Sequence, residues 1–287
     1  MIARDLTSLV LLALVLAPVA GCRRDRTADD PVTVQAAGPN DSARARITAF
    51  WSRYRAATDL RIAGSLDSAA EEYARALELD PGHGDALYYL GGMRLALGDY
   101  GTAERAWRHL AEVDAASARA HSQLGALFLC LDDGAPFQLD SAEAHLTLAH
   151  QINMEETGPL LHLGEAAMIR GNAATAARHF QTVLGSHRGS GAALFYVGYL
   201  AWKRGDTVRA RASYDAATAA AGPPPAPAGA VPGEGDTKGG AAMTVRPARC
   251  DQFHHLTDRL DQPPAMEARY HQLDSLLRAA RRRTQGN

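Results

Sequence analysis

The sequence predicts an all-α solenoid of about five helix-turn-helix repeats between residues 47 and 222. Leu-Gly or Val-Gly pairs recur at a nearly constant spacing, at Leu90-Gly91, Leu124-Gly125, Leu163-Gly164 and Val197-Gly198. Alanines keep the same spacing at Ala69, Ala103, Ala142, Ala176 and Ala210. Self-similarity with a period of about 34 residues is typical of stacked helix pairs, each of which buries its apolar face against its neighbours.

The turn inside four of the repeats has the same chemistry. A glycine is followed directly by a residue that favours the start of a helix, at Gly64-Ser65, Gly98-Asp99, Gly171-Asn172 and Gly205-Asp206. Glycine can adopt the left-handed conformation that ends a helix, and Ser, Asp and Asn accept a hydrogen bond from the next helix. The third repeat has an insertion around Asp133-Gly134-Ala135-Pro136 instead. We therefore expect four tight turns and one loop.

These features together resemble the tetratricopeptide repeat (TPR). In that family helix A carries a Leu-Gly pair between large residues, and helix B carries Ala with an aromatic residue four positions later. Repeat two shows the pattern in Leu87, Leu90, Gly91, Ala103 and Trp107, whereas the first half of repeat one diverges from it. The resemblance implies a right-handed α-solenoid with repeats near 50–83, 84–117, 118–156, 157–190 and 191–222.

The resemblance also implies a binding surface, because the concave face of TPR proteins is lined by helix A and holds protein segments. The matching positions here include Tyr54, Arg61, Tyr88, Arg119, Ser122, Leu161, Glu165, Phe195, Tyr199 and Trp202. The last three form one aromatic stripe, which either faces a ligand or packs under the C-terminal helix. The Lys/Asn set with which chaperone-binding TPRs grip a terminal carboxylate does not appear. An extended or helical apolar peptide is the more natural ligand.

The N-terminus is predicted to be a signal peptide, over residues 1–21. Its apolar run from Leu9 to Ala17 is far shorter than the roughly 20 residues that a membrane-spanning helix needs. Val19-Ala20-Gly21-Cys22 then resembles the bacterial lipobox, which implies an exported chain lipidated at Cys22 and anchored in the cell envelope. Arg23, rather than Asp, follows the cysteine and favours the periplasmic face of the outer membrane. The alternative is an ordinary secretory signal in which the cysteine is accidental.

Three further segments flank the repeats. Residues 22–46 are charged or small and predict a disordered tether. Residues 223–246 are rich in Pro and Gly and predict a linker that cannot continue a helix. Residues 247–287 contain a final amphipathic helix, with one apolar stripe of Met266, Tyr270, Leu273 and Leu277. The stripe must pack on something. The helix therefore either caps the solenoid, occupies its groove or binds a partner.

Cys130 and Cys250 are the two cysteines that remain once Cys22 is assigned to lipidation. They are a possible disulfide in a compartment that permits one, and the bridge would fold the C-terminal segment back across the groove. Two free thiols, with Cys130 buried, are the alternative.

Composition and motifs argue against catalysis and against nucleic acid as a partner. The formal net charge of −2 lacks the strongly basic footprint of nucleic-acid binding. CxxC, HExxH, GxSxG and phosphate-loop motifs are missing, and the 11 histidines are scattered, so we expect no metal, no cofactor and no enzyme activity. The sequence thus predicts a membrane-anchored adaptor that binds protein segments in the envelope, with a role in envelope or pilus assembly. A regulatory or substrate-presenting subunit of an envelope enzyme is the alternative.

Overall fold

A computed structural model describes residues 39–220, 249–258 and 260–286. Over these ranges it contains eleven α-helices, one short 3-10 helix and no strand, which confirms the predicted all-α solenoid. Five consecutive helix pairs form the repeats: α1 (Pro39–Ile62) and α2 (Leu66–Leu79), α3 (Gly84–Leu97) and α4 (Tyr100–Val113), α5 (Ala118–Phe128) and α6 (Leu139–Ile152), α7 (Gly158–Arg170) and α8 (Ala173–Ser186), α9 (Gly191–Lys203) and α10 (Thr207–Ala220). A 3-10 turn (His254–Leu256) and helix α11 (Met266–Gly286) follow.

The recurring glycine of helix A is where the two helices of a repeat meet most closely. A Cβ atom built on Gly91 would lie 2.3 Å from the indole of Trp107, and one on Gly164 would lie 2.3 Å from the ring of Phe180. Both rings are buried, at 1% and 0% exposure. The aromatic residue of helix B therefore packs directly on the backbone of helix A, and this contact explains why glycine recurs with the repeat period.

The turns follow the predicted chemistry with one difference. Gly98 and Gly171 end their helices at φ 82°, a left-handed conformation in which glycine has no steric penalty. Asp99 and Asn172 each accept a hydrogen bond from a backbone N–H of the following helix. Ser65 makes no such bond.

Helix α1 is longer than predicted, because it begins at Pro39 inside the expected tether. The disorder predicted for residues 22–46 is therefore wrong over 39–46. Alanine and arginine recur there, both favour helix, and a proline is tolerated in the first turn. Residues 40–49 expose their side chains, so this extension adds no core. The signal peptide with Cys22, the first part of the tether and the linker at 223–246 lie outside the described residues.

None of the described helices combines the length and the apolar character needed to cross a bilayer.

Candidate functional site

The helices A of the repeats (α1, α3, α5, α7 and α9) form one continuous surface, which we call the inner groove. Residues 249–258 and 260–286, here called the C-terminal segment, lie across its second half. The first part of the segment borders a cavity of about 320 Å³ together with Leu95 of α3 and residues of α5, α7 and α9. Four groups of contacts hold the segment in place.

The first contact is covalent, since Cys130 and Cys250 form a disulfide across 120 residues, with their Cα atoms 4.6 Å apart. The carboxylate of Asp132 supports it from the loop of repeat three. It accepts hydrogen bonds from the backbone N–H of Cys250 at 3.2 Å, from the hydroxyl of Tyr100 at 2.7 Å and from the side-chain amide of Gln252. Burial, together with this carboxylate, raises the pKa of Tyr100 to about 12. The C-terminal segment is thus attached to the inserted loop of repeat three.

The second contact is a buried polar cluster around Glu165 on α7, which is only 2% exposed. Its carboxylate accepts a hydrogen bond from the hydroxyl of Tyr196 at 2.8 Å and pairs with Nδ1 of His162 at 2.8 Å. The same hydroxyl lies 3.3 Å from the carbonyl oxygen of Phe253 in the C-terminal segment. Burial lowers the pKa of His162, but the charge and hydrogen bond of Glu165 outweigh it, so the pKa is raised overall. The cluster therefore connects α7, α9 and the segment.

The third contact is an aromatic cluster around Tyr270 of α11. The centroid of its ring lies 5.2 Å from that of Phe195, 5.9 Å from that of Tyr199 and 5.8 Å from that of Trp202. One turn further along α11, Asp274 accepts a hydrogen bond from the hydroxyl of Tyr199 at 2.5 Å. The aromatic stripe of repeat five thus packs under the C-terminal helix and does not face a ligand.

The fourth contact joins the end of α11 to the ends of two helices A. The guanidinium of Arg281 donates to the carbonyl oxygens of Met168 and Ile169 in the last turn of α7, at 2.7 and 2.8 Å. Arg283 donates to the carbonyl oxygen of Asp132, in the loop after α5, at 3.2 Å. A helix C-terminus carries partial negative charge and unpaired carbonyls, and both arginines complement these groups.

Arg269 shapes the turn that precedes α11. It is 5% exposed and donates to the carbonyl oxygens of Leu256, Asp258, Gln262 and Pro264. Four backbone carbonyl groups on both sides of position 259 therefore bond to one guanidinium. This role of Arg269 could not be predicted from the sequence, because an arginine bonded to irregular backbone leaves no periodic signal.

The structure divides the ten predicted groove residues into two sets. Leu161, Glu165, Phe195, Tyr199 and Trp202 lie beneath the C-terminal segment, so their assignment to an open binding groove is corrected. The reason is that the protein's own C-terminal segment covers the surface with which TPR proteins bind ligands. Tyr54, Arg61, Tyr88, Arg119 and Ser122 stand on α1, α3 and α5 and keep exposed surface.

That second set marks the uncovered part of the inner groove, which we call the open half. The guanidinium of Arg61 lies 4.5 Å from the ring centroid of Tyr89, and that of Arg119 lies 4.8 Å from the centroid of Tyr88. Arg119 also pairs with Asp85 at 2.7 Å. Stacked rings and guanidinium groups of this kind supply apolar area with polar edges, which is the composition of protein-binding surfaces.

Two clusters of possible metal ligands occur within the described ranges. In one, Cys130 and Cys250 flank Asp132, but both sulfurs belong to the disulfide and cannot act as thiolate ligands. In the other, Asp251 stands with the exposed His255 and Asp258. Exposed acidic residues commonly form such groups without an ion, so neither cluster indicates a metal site. The chemistry of the groove is that of a binding surface.

Comparison with known proteins agrees with this architecture. Residues 54–118 and 161–225 match the family model of the tetratricopeptide repeat. Among solved structures, MamA is 21% identical, with 57% of this chain and 93% of that chain covered and a TM-score of 0.51. PilF of Pseudomonas aeruginosa is 21% identical, with 61% and 78% covered and a TM-score of 0.53. YrrB, described as a TPR protein with an unusual peptide-binding site, is 20% identical, with 64% and 93% covered and a TM-score of 0.50.

These identities establish a shared fold and no more. No significant match was found among curated protein sequences.

Proposed function

We propose that this chain of tetratricopeptide repeats is a non-enzymatic adaptor of the bacterial cell envelope, tethered to a membrane through Cys22. It holds segments of other proteins in the open half of its inner groove. The observation that carries the proposal is the C-terminal segment itself. A stretch of turns with one 3-10 turn, followed by a helix, lies on the helices A of repeats three to five. The same kind of surface continues uncovered over α1 and the first part of α3.

The comparisons support the binding role by analogy. YrrB is described as having a peptide-binding site, and this chain shares its fold. TPR domains act as scaffolds for protein segments. The fold is also that of PilF. We propose a role for this chain in envelope or pilus assembly.

A photo-crosslinking experiment tests the adaptor role. A photoreactive amino acid is placed at Tyr88 in the open half and, as a matched control, at Gln181, which is exposed on α8. We expect a discrete protein adduct in intact cells from position 88 and not from position 181. The identity of the adduct also separates an assembly adaptor from a regulatory subunit of an envelope enzyme. Equal labelling from both positions, or none from position 88, would contradict the proposal.

The membrane tether rests on the signal-peptide pattern and on Cys22. An oxidising compartment outside the cytoplasm agrees with the Cys130–Cys250 disulfide. Arg23 after the lipidated cysteine favours the outer membrane. Replacement of Cys22 by Ala should release the protein from the membrane fraction, because the acyl chains supply the anchoring free energy. Retention of Cys22→Ala in washed membranes would disprove lipid anchoring.

A further inference from the structure

The repeat pattern shows that the open half is the continuation of a surface that already holds a protein segment. Ala126, Glu165 and Tyr199 occupy the same position in three successive helices A, one residue after the glycine of the Leu-Gly or Val-Gly pair. Each of them faces the C-terminal segment. In the preceding repeat the equivalent residue, directly after Gly91, is Gly92. A Cβ atom built there would meet no atom within 4 Å, so the groove is empty at this position of α3. Only the end of α3, at Leu95 and Gly98, lies beside the C-terminal segment.

The groove arginines of α3 and α5 are paired, whereas the one near the end of α1 is not. Arg119 pairs with Asp85 at 2.7 Å, and Arg94 pairs with Asp67 at 3.4 Å. Arg61 makes no ion pair with a carboxylate anywhere in the described ranges. Its guanidinium stacks on Tyr89 and interacts with the neutral hydroxyl of Tyr73, and its Nε atom is buried without a hydrogen-bond partner. Among these three arginines, Arg61 is therefore the one whose positive charge has no carboxylate partner within the described residues.

From this arrangement we infer the chemistry of the partner, on the premise of the proposed adaptor function. The open half binds a protein segment that presents an Asp or Glu side chain to Arg61 and an apolar or aromatic side chain above Gly92. A guanidinium binds a carboxylate through two parallel hydrogen bonds, and the neighbouring rings exclude water from that pair. Tyr88, one turn before Gly92 on α3, and Tyr54 on α1 supply apolar contact area.

The C-terminal segment of a second copy fits this site less well, because five arginines outweigh Glu267 and Asp274 in its helix and make that helix net positive. Its helix ends in Arg278 and the run from Arg281 to Arg283, which would bring more positive charge to Arg61. The partner is therefore a different protein with an acidic and apolar segment.

Selection of peptides on the full-length chain in detergent micelles tests the inference, with a phage library of random dodecapeptides as the probe. We expect selected peptides to contain an Asp or Glu whose replacement by Asn or Gln weakens binding about 10- to 100-fold, the range for a hydrogen-bonded charge. When the same peptides bind the Arg61→Gln variant, replacing their Asp or Glu by Asn or Gln should change the affinity less than about twofold. Gly92→Phe, which fills the groove, should abolish binding, whereas Gly92→Ala should retain it.

Gly185→Phe is the matched control, since a Cβ atom at Gly185 on α8 also meets no neighbour but lies on a helix B. Some selected peptides could lose binding to Gly92→Phe and yet bind equally well after Asp or Glu is replaced by Asn or Gln, or after Arg61→Gln. Such peptides would overturn the carboxylate inference but leave the adaptor function supported. Binding of a synthetic peptide of residues 266–287 to the open half would overturn it in favour of a second copy. Failure to select any peptide that Gly92→Phe blocks would contradict both the inference and the adaptor function.

Discussion

The hydroxyl of Tyr270 occupies the space where a side chain of residue 198 would begin. A Cβ atom built on Gly198 would lie 2.3 Å from that hydroxyl oxygen. Tyr270 is completely buried, and its hydroxyl has no hydrogen-bond partner within the described residues. In repeats two and four the equivalent glycine accommodates the aromatic residue of its own helix B. In repeat five it accommodates α11, so a glycine of the repeat pattern has become part of the docking site for the tail.

Gly198→Ala should therefore weaken the docking of α11. Forcing an extra methyl group into a packed site typically costs about 1–3 kcal/mol. Tyr270→Phe removes the clashing and unpaired hydroxyl, so the double variant should lose less stability than the two single changes predict together. Urea denaturation of the four proteins measures this coupling. Gly92→Ala is the control, because its Cβ atom would meet open space. Strictly additive losses would show that Tyr270 and Gly198 do not compete for the same volume.

The disulfide should make a large contribution to the retention of the C-terminal segment. Closing a loop of this length is worth about 5 kcal/mol in the entropic model. We expect the double variant Cys130→Ala/Cys250→Ala to expose residues 249–286 to limited proteolysis while helices α1–α4 stay protected. Reduction of the unaltered chain should give the same cleavage pattern, and reduction of the variant should add nothing. Resistance of the reduced tail to protease would mean that the noncovalent contacts alone retain it.

The repeat architecture could be predicted because its signals are local and recur. Gly98 with Asp99 and Gly171 with Asn172 determine their turns through short-range chemistry. The absence of a side chain at Gly91 reflects the close contact with the ring of Trp107 in the same repeat. The position of the tail could not be predicted in this way. Asp132, Arg269 and Asp274 make contacts that occur at one place in the chain and do not recur in other repeats, so no period marks them. The apolar stripe of α11 predicted that the helix packs against another part of the protein, but it did not predict which part.

The groove residues illustrate the same limit. The family resemblance identified the helix A positions that line the groove, and the structure places Glu165 and Tyr199 on that surface. What covers them depends on a tail that follows the last repeat and the linker, which a resemblance confined to the repeats does not include. Tyr88 and Arg119, at the other end of the groove, keep the exposure that the resemblance implied.

Arg269→Met should detach the turn before α11 without unfolding the repeats. Methionine fills a similar apolar volume but leaves the carbonyl groups of Leu256 and Gln262 without their donor, and each unpaired buried group costs about 1–3 kcal/mol. Hydrogen exchange should then accelerate in residues 254–286 and stay unchanged in α1–α4. Arg178→Met on α8, where the arginine is exposed, provides a control that should alter neither region. Uniformly faster exchange in all helices would contradict a local role for Arg269.

The pairing of His162 with Glu165 should make tail docking depend on pH in one direction. Folding raises the pKa of His162, so the charged pair contributes fully below about pH 6.5, the ordinary pKa of histidine in the unfolded chain. The contribution is lost as the pH rises through the higher pKa of the folded state. His145 and His179 behave oppositely, because burial lowers the pKa of each, and they destabilise the fold on acidification.

The informative quantity is therefore the difference in unfolding free energy between the unaltered chain and His162→Gln, measured from about pH 5.5 to about pH 8.5. His145 and His179 contribute equally to both proteins and cancel in this difference. We expect the unaltered chain to have its largest advantage at the acidic end and to lose it as the pH rises. The same loss should appear in the protease resistance of residues 249–258, since Tyr196 links Glu165 to Phe253. A difference that grows with pH would mean that Glu165 is bound to a neutral His162, and that the pair does not hold the tail through charge.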